Sequence, residues 1–278
     1  MPVSAHACWG GSKSFLKLLF IGDVVGKPGR KALSLLEKVI GREHIDFTIV
    51  NIENAAGGFG VTAEIFAEMT KFPIDVFTSG NHIWDKKEFV PLLNDLENLL
   101  RPANYPPGNP GRGWAIQDTP SGIPVGVLNL QGQVFMANTD SPFRVGDQAL
   151  VEMKAKRPEL KVVVVDIHAE ATSEKQAIGW WFDGRASLVI GTHTHVPTAD
   201  ARLLPKGTAY QGDAGMTGAY EGIIGFDPKA ILEKFLYQTP RSMETATRDV
   251  RMCGAIVDVD EATGKARSIT PIQERLAS

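Results

Sequence analysis

Cysteine is nearly absent from this chain. There are two in 278 residues, Cys8 and Cys253. They stand far apart and make no C-x-x-C pair, which excludes a disulfide framework and a zinc knuckle and fits a reducing, cytoplasmic setting. An excess of one charge is missing as well. The 29 Lys and Arg against 32 Asp and Glu leave a net charge of −3, so nothing electrostatic argues for bulk nucleic-acid binding. No apolar run is long enough to span a bilayer, and no membrane partner is expected. Met1 to Ser14 is rich in small residues but has no apolar h-region. It reads as a loose leader with His6 and Cys8 idle in it, not as a signal peptide. Internal repeats and low-complexity segments are also lacking. What remains is an ordinary globular balance, 43% hydrophobic and 22% charged, expected to fold as a single domain over residues 15–278.

The apolar runs mark the strands. Phe15–Ile21, Phe47–Ile52, Asp75–Thr78, Ile123–Leu130, Lys161–His168 and Ser187–Ile190 are rich in β-branched and aromatic residues. Lys161–His168 is the strongest, and an unbroken apolar run is what a sheet covered on both faces requires. Helical patterns fall between them, over 31–40, 62–71, from Trp84 to Phe89, and over 148–156. Leu100–Gly113 is a long Pro- and Gly-rich ordered loop. Gly254–Asp260 reads as a closing antiparallel strand. Alternating strands and helices, with more strands in the second half, argue for a layered α/β sandwich with a partly parallel sheet.

In such folds ligands gather at the carboxyl ends of the strands. Asp23, Glu53-Asn54, Asn81-His82, His168 and His193/His195 all stand there. The two histidines of Gly191-Thr192-His193-Thr194-His195 are two residues apart, so an extended backbone puts both imidazoles on one side. The turn Gly22–Arg30 is not a nucleotide loop. Its glycines are one residue too close for G-x-x-x-x-G-K-[ST], Pro28 replaces the hydroxyl, and G-x-G-x-x-G fails too.

Carboxylates, carboxamides and imidazoles without thiolate make a mixed N/O donor set. It suits Fe, Mn, Co, Ni or Zn, and suits Ca or a lone Mg poorly. Seven donors are too many for one tetrahedral site. They fit two ions sharing a bridging carboxylate. Such a pair, about 3.5–4 Å apart, clamps a phosphate and lowers the pKa of bound water to about 7. A positioned acid at the leaving group adds roughly 10²–10⁴ in rate.

With these residues in place, the chain resembles the calcineurin-like metallophosphoesterases. More closely, Phe20–Gly26, Glu53–Ala56, Gly80-Asn81-His82-x-Trp84–Glu88, Arg101–Asn104, His168–Lys175 and Asp183–Ser187 resemble the bacterial YmdB-like phosphodiesterase branch. The resemblance implies an α/β/β/α sandwich, with mixed sheets inside and helices outside. It implies that Asp23, Glu53, Asn54 and His195 hold one ion, that Glu53, Asn81, His168 and His193 hold the other, and that His82 is the general acid. It also implies iron or manganese, with Zn, Co, Ni or Mg as other candidates, and a phosphodiester or cyclic-nucleotide substrate (2′,3′ or 3′,5′). Two departures from the broad superfamily agree with this branch. Val25 stands where a histidine ligand is usual, and Glu53 replaces an aspartate.

Further candidates surround these. Glu170 and Thr172 are expected to line the pocket, and Asp213 to orient an imidazole from behind. Arg185 is either a loop partner of Asp183 or a phosphate contact. Trp84, Trp180 and Trp181 serve packing or base stacking. Two rival readings remain: a phosphomonoesterase or nucleotidase on the same site, and a non-catalytic nucleotide-binding regulator. A homo-oligomer is left open.

Overall fold

The computed structural model describes residues 15–277. The leader reading and its His6 and Cys8 lie outside them. In chain order the elements are β1 (Phe15–Ile21), α1 (Gly26–Ala32), α2 (Leu36–Glu43), β2 (Phe47–Asn51), α3 (Ala63–Met69) and β3 (Val76–Thr78). Then come β4 (Trp114–Asp118), β5 (Pro124–Gln131), α4 (Pro142–Lys156), β6 (Val162–His168), α5 (Thr172–Phe182) and β7 (Leu188–Thr192). The chain continues with β8 (Arg202–Leu203), β9 (Ala209–Gln211), β10 (Gly218–Ala219), α6 (Pro228–Tyr237), β11 (Val250–Asp260) and β12 (Ala266–Arg275).

Two six-stranded sheets result. The first runs β10-β11-β1-β2-β3, with β12 also on β11; the second runs β4-β5-β6-β7-β9-β8. The central strands β1, β2 and β3, and likewise β5, β6, β7 and β9, are parallel. Their carboxyl ends therefore lie together within each sheet.

Alternation along the strands builds three apolar layers. Leu16, Leu18 and Phe20 of β1 meet Val162 and Val164 of β6 between the sheets. Leu19 and Ile21 turn the other way, in one cluster with Leu36 and Val39 of α2 and Phe66 of α3. Val163, Val165 and Ile167 pack with Leu150 and Met153 of α4 and Ile178 and Phe182 of α5. Layers of helix, sheet, sheet and helix follow, as expected. Both faces of β6 are covered, hence its unbroken apolar sequence.

The layer between the sheets changes character along the strands. Phe47 and Ile49 give way to Asn51; Val76 to Thr78; Val125 and Val127 to Asn129; Val162 and Val164 to Asp166 and His168; Leu188 and Ile190 to Thr192. All of these polar residues are fully buried. A buried polar group must find a partner, so this polar end of the sandwich is a network, and it supports the site.

Several boundaries differ from the sequence reading. The first helical run starts at Gly26, not Lys31, because Pro28 falls in the first turn, where its missing N–H costs nothing. Helix α4 starts at Pro142, its first helical residue, not at Gln148. Two 3-10 turns, Asn81–Trp84 and Val90–Asn94, replace the helix expected from Trp84 to Phe89. The strands β4 and β12 and the helices α5 and α6 were not anticipated.

Candidate metal centre

Glu53 lies at the middle of the site. Two groups of ligand atoms, each within 4.8 Å of one another, include it: Asp23, Glu53 and His195, and Glu53, His168 and His193. Asp23 and Glu53 follow strands of the first sheet. His168, His193 and His195 come from the second. Glycine permits the close approach. A Cβ on Gly80 would lie 2.1 Å from Glu53 Oε2 and 2.3 Å from the His168 ring.

The histidines do not share a side by strand alternation. Strand β7 ends at Thr192, and His193 and His195 take left-handed backbone, φ 96° and 65°. Non-glycine residues rarely hold such φ unless their surroundings fix them. Here the His193 N–H donates to Asp23 Oδ2 (3.0 Å), the His195 carbonyl accepts from the Met216 N–H (3.0 Å), and the residue between them is held by Asp213. The Asp213 carboxylate accepts from the backbone N–H (3.1 Å) and hydroxyl (2.7 Å) of Thr194 and from Lys175 Nζ (2.7 Å). Asp213 therefore holds the backbone between the two histidines and touches neither imidazole.

Each imidazole is oriented by its far nitrogen. His195 Nδ1–H donates to the Ile224 carbonyl at 2.9 Å, which bares Nε2 toward the site. His193 faces Glu170 Oε2 with Nε2 (3.2 Å), so its Nδ1 points inward. Thr192 gives its only hydroxyl proton to Asp166 Oδ1 (2.7 Å), so it must accept from His168 Nδ1–H (2.9 Å). The inward Nε2 of His168 lies 3.1 Å from each of Glu53 Oε2, Asn81 Oδ1 and His193 Nδ1. Three acceptors thus surround one proton.

The charges agree with that picture. Burial disfavours charge on His168, but Glu53, by charge and hydrogen bond, and then Asp23 outweigh it and lift its pKa to about 9. Burial would raise Glu53, yet His168, by charge and hydrogen bond, holds it near 2. Burial, then the neighbouring His168, lowers His193 to about 3. Burial lowers His195 and pushes Asp23 well above the carboxylate range.

Two buried oxygens test whether a cation fits. Asp23 Oδ1 and Asn54 Oδ1 have no hydrogen-bond partner. The Asn54 amide nitrogen sits between Glu53 Oε1 (3.0 Å) and His195 Nε2 (3.1 Å). A half-turn of the amide would put Oδ1 there. Orphaned oxygens, bare imidazole nitrogens and a shared carboxylate are a donor set for divalent ions, and the residues fit.

His82 stands at the rim, its backbone N–H 3.4 Å from Glu53 Oε2. Its ring donates Nδ1–H to Asp85 Oδ2 at 2.8 Å and meets the edge of Phe59 at 5.1 Å between ring centroids. The expected ligands and His82 are therefore brought together, with Glu170 beside them. Thr172 opens α5 as an exposed residue. Arg185 is not at the site. It precedes β7, at the opposite end of the strands, and bonds Asp147 and the Trp181 carbonyl. Asp183 instead accepts backbone N–H groups of Lys206 and Thr208. Trp180 and Trp181 lie exposed on α5, and Trp84 packs on Tyr105. Sequence reasoning missed Asp85, Asp166 and Thr192. Asp166 had a signal, a lone charge inside the most β-branched run of the chain.

A four-layer sandwich with two carboxylate–imidazole clusters sharing one glutamate is the metallophosphoesterase architecture. The chain belongs to the YmdB-like protein family, whose model matches residues 19–272. It is 45% identical over 258 residues to the 2′,3′-cyclic-nucleotide 2′-phosphodiesterase of Bacillus subtilis (strain 168), covering 92% of this chain and 96% of that enzyme. Among solved structures, it is similar to a hypothetical protein from Thermus thermophilus, with TM-score 0.86 and 40% identity over 94% of this chain and all of that one. A novel phosphatase from Mycoplasma pneumoniae is also similar, with TM-score 0.87 and 31% identity over 94% of each chain.

Proposed function

We propose that this chain hydrolyses cyclic nucleotides at a dinuclear metal centre, with His82 as the general acid. It is a phosphoric diester hydrolase. The observation that carries the reading is the sharing of Glu53 between two groups of residues able to hold a metal ion, with an Asp-oriented histidine at their rim. Asp23, Glu53, Asn54 and His195 would hold one ion, and Glu53, Asn81, His168 and His193 the second. Bound ions would draw charge off the phosphate oxygens and acidify a water; manganese and iron suit these donors.

The chain's own groups do the rest. Asp85 fixes the His82 ring through Nδ1, which leaves Nε2 to deliver a proton to the departing oxygen. For a 2′,3′-cyclic nucleotide, a water gives up one proton and its oxygen bonds to phosphorus, the bond to one ribose oxygen breaks, that oxygen takes the His82 proton, and the proton lost by the water restores His82 through solvent. Glu170 and the Ile224 carbonyl keep His193 and His195 in place, so the donors need little rearrangement.

The test is hydrolysis of 2′,3′-cyclic AMP, 3′,5′-cyclic AMP and a nucleoside monophosphate by purified protein. Each is assayed as isolated, after chelation, and after adding back manganese or iron. Loss with chelator and recovery with metal, with diester preferred, supports the reading. Preference for the monoester would make the chain a phosphomonoesterase. Binding without turnover at confirmed metal content would make it a regulator, although no donor is missing.

A further inference from the structure

One buried charge takes no part in the chemistry above. Asp166 lies on β6 in the layer between the sheets, fully buried and below the ligands. It accepts three side-chain hydrogen bonds: from Asn51 Nδ2 at 3.0 Å, from Thr78 Oγ1 at 2.5 Å and from Thr192 Oγ1 at 2.7 Å. Two of these donors belong to the first sheet and one to the second.

Two of the three lead on to ligands. Thr192 accepts from His168 Nδ1–H at 2.9 Å. Asn51 uses its Oδ1 to accept the backbone N–H of Glu53 at 3.1 Å. Glu53 and His168 are the pair whose facing atoms stand 3.1 Å apart across the sheets.

We propose that Asp166 is the positioning residue of the metal centre, setting the bridging glutamate through Asn51 and the His168 ring through Thr192. The inference rests on the metal-centre reading. A hydroxyl has one proton. With Asp166 as acceptor, Thr192 can only accept from His168, so Nδ1 keeps its hydrogen and Nε2 faces the site. Without that acceptor the hydroxyl is free to donate to Nδ1, and the ring can present the wrong nitrogen state. Outer groups of this kind typically govern metal affinity by 10–100-fold. A carboxylate that only fastened the sheets would affect stability and leave the ring alone.

The probe is Mn²⁺, titrated calorimetrically into the chelated full chain, for wild type and the variants Thr192→Val, Thr192→Ser and Asp166→Asn. Ion-free melting is recorded alongside. Thr192→Val should weaken the His168 site about 10–100-fold and the Asp23 site much less. Thr192→Ser, which restores the hydroxyl, should stay within about threefold of wild type. Asp166→Asn should weaken both sites, since it serves the shared Glu53. Should Asp166→Asn not fold, Thr192→Val and its serine rescue carry the test. Wild-type affinity in Thr192→Val, or equal loss in Thr192→Ser, overturns the proposal while leaving the centre intact. Failure of wild type to bind Mn²⁺ at all overturns the metal centre and the proposal together.

Discussion

The backbone N–H of His193 donates to Asp23 Oδ2 at 3.0 Å, joining the end of β7 to the end of β1 across the sandwich. The same carboxylate leaves Oδ1 buried without a hydrogen-bond partner, 3.9 Å from His168 Nδ1. One oxygen of Asp23 is thus a structural stitch, and the other is the one proposed to hold a metal ion. Burial lifts its pKa, so its charge costs the ion-free fold stability, and that cost grows as pH rises through the folded pKa.

Asp23→Asn keeps the stitch through Oδ1 and removes the charge. The ion-free variant should be more stable than wild type at pH 8, by about 1–3 kcal/mol. It should gain much less from added Mn²⁺. Denaturant unfolding with and without metal checks both. A variant less stable than wild type in the ion-free state contradicts the argument.

How much of this was legible beforehand follows from where the signals lie. Asp23, Glu53, Asn81 and His168 each end an apolar run, and residues at strand ends can be read from strand patterns alone. The routing of the histidine pair cannot. It depends on two left-handed residues, tied through Asp23 and Met216, with Asp213 holding Thr194 between them, all of them distant in sequence. Helix α5 was missed because the segment from Thr172 to Phe182 carries Trp180 and Trp181 outward, which breaks the apolar periodicity. Strand β12 was missed because its outer positions are exposed and carry Arg267 and Arg275.

Gly80 sits where any side chain would enter the site. Gly80→Ala places a methyl on Glu53 Oε2 and the His168 ring. Turnover should fall at least about 100-fold with a matching loss of Mn²⁺ affinity, since a displacement of about 1 Å costs that much. Far-UV circular dichroism should be unchanged. Full metal affinity in the variant would show that the two ligands tolerate separation.

Lys175 and Asp213 form a buried pair, with side chains 3% and 0% exposed. Lys175→Met removes the cation and leaves the carboxylate to the Thr194 hydroxyl and the backbone N–H groups of Thr194 and Gly215. Loss of one partner from a buried pair costs about 3 kcal/mol or more, and the histidine loop should loosen with it. Hydrogen exchange at Thr194 should accelerate. Unchanged exchange would mean that the loop's strain is held elsewhere.

His82 and Asp85 should separate from the ligands kinetically. His82→Ala should lower kcat about 10²–10⁴-fold on an alkyl-leaving substrate with bound metal nearly intact. A substrate with a nitrophenolate leaving group, which departs without a proton, should lose far less. Asp85→Asn should give a smaller loss of the same kind, because it disturbs only the ring's orientation. Parallel loss of metal in His82→Ala would make the residue a ligand.

Metal uptake should depend on pH through His168. In the ion-free protein its imidazole keeps a proton up to about pH 9, because Glu53 and Asp23 outweigh burial. An entering cation needs the Nε2 lone pair, so that proton must leave. Its folded pKa lies above its ordinary value, so the proton stabilises the ion-free fold at low pH, and that contribution is lost as pH rises through about 9. Both effects favour metal on the alkaline side. From pH 6 to 8 the apparent Mn²⁺ affinity should rise about tenfold per pH unit for one displaced proton, then flatten near pH 9. Calorimetry in buffers of different ionisation enthalpy should count about one proton released at pH 7. Affinity that is flat over this range would mean that His168 is already neutral without metal, and that the proton ringed by Glu53, Asn81 and His193 is not there.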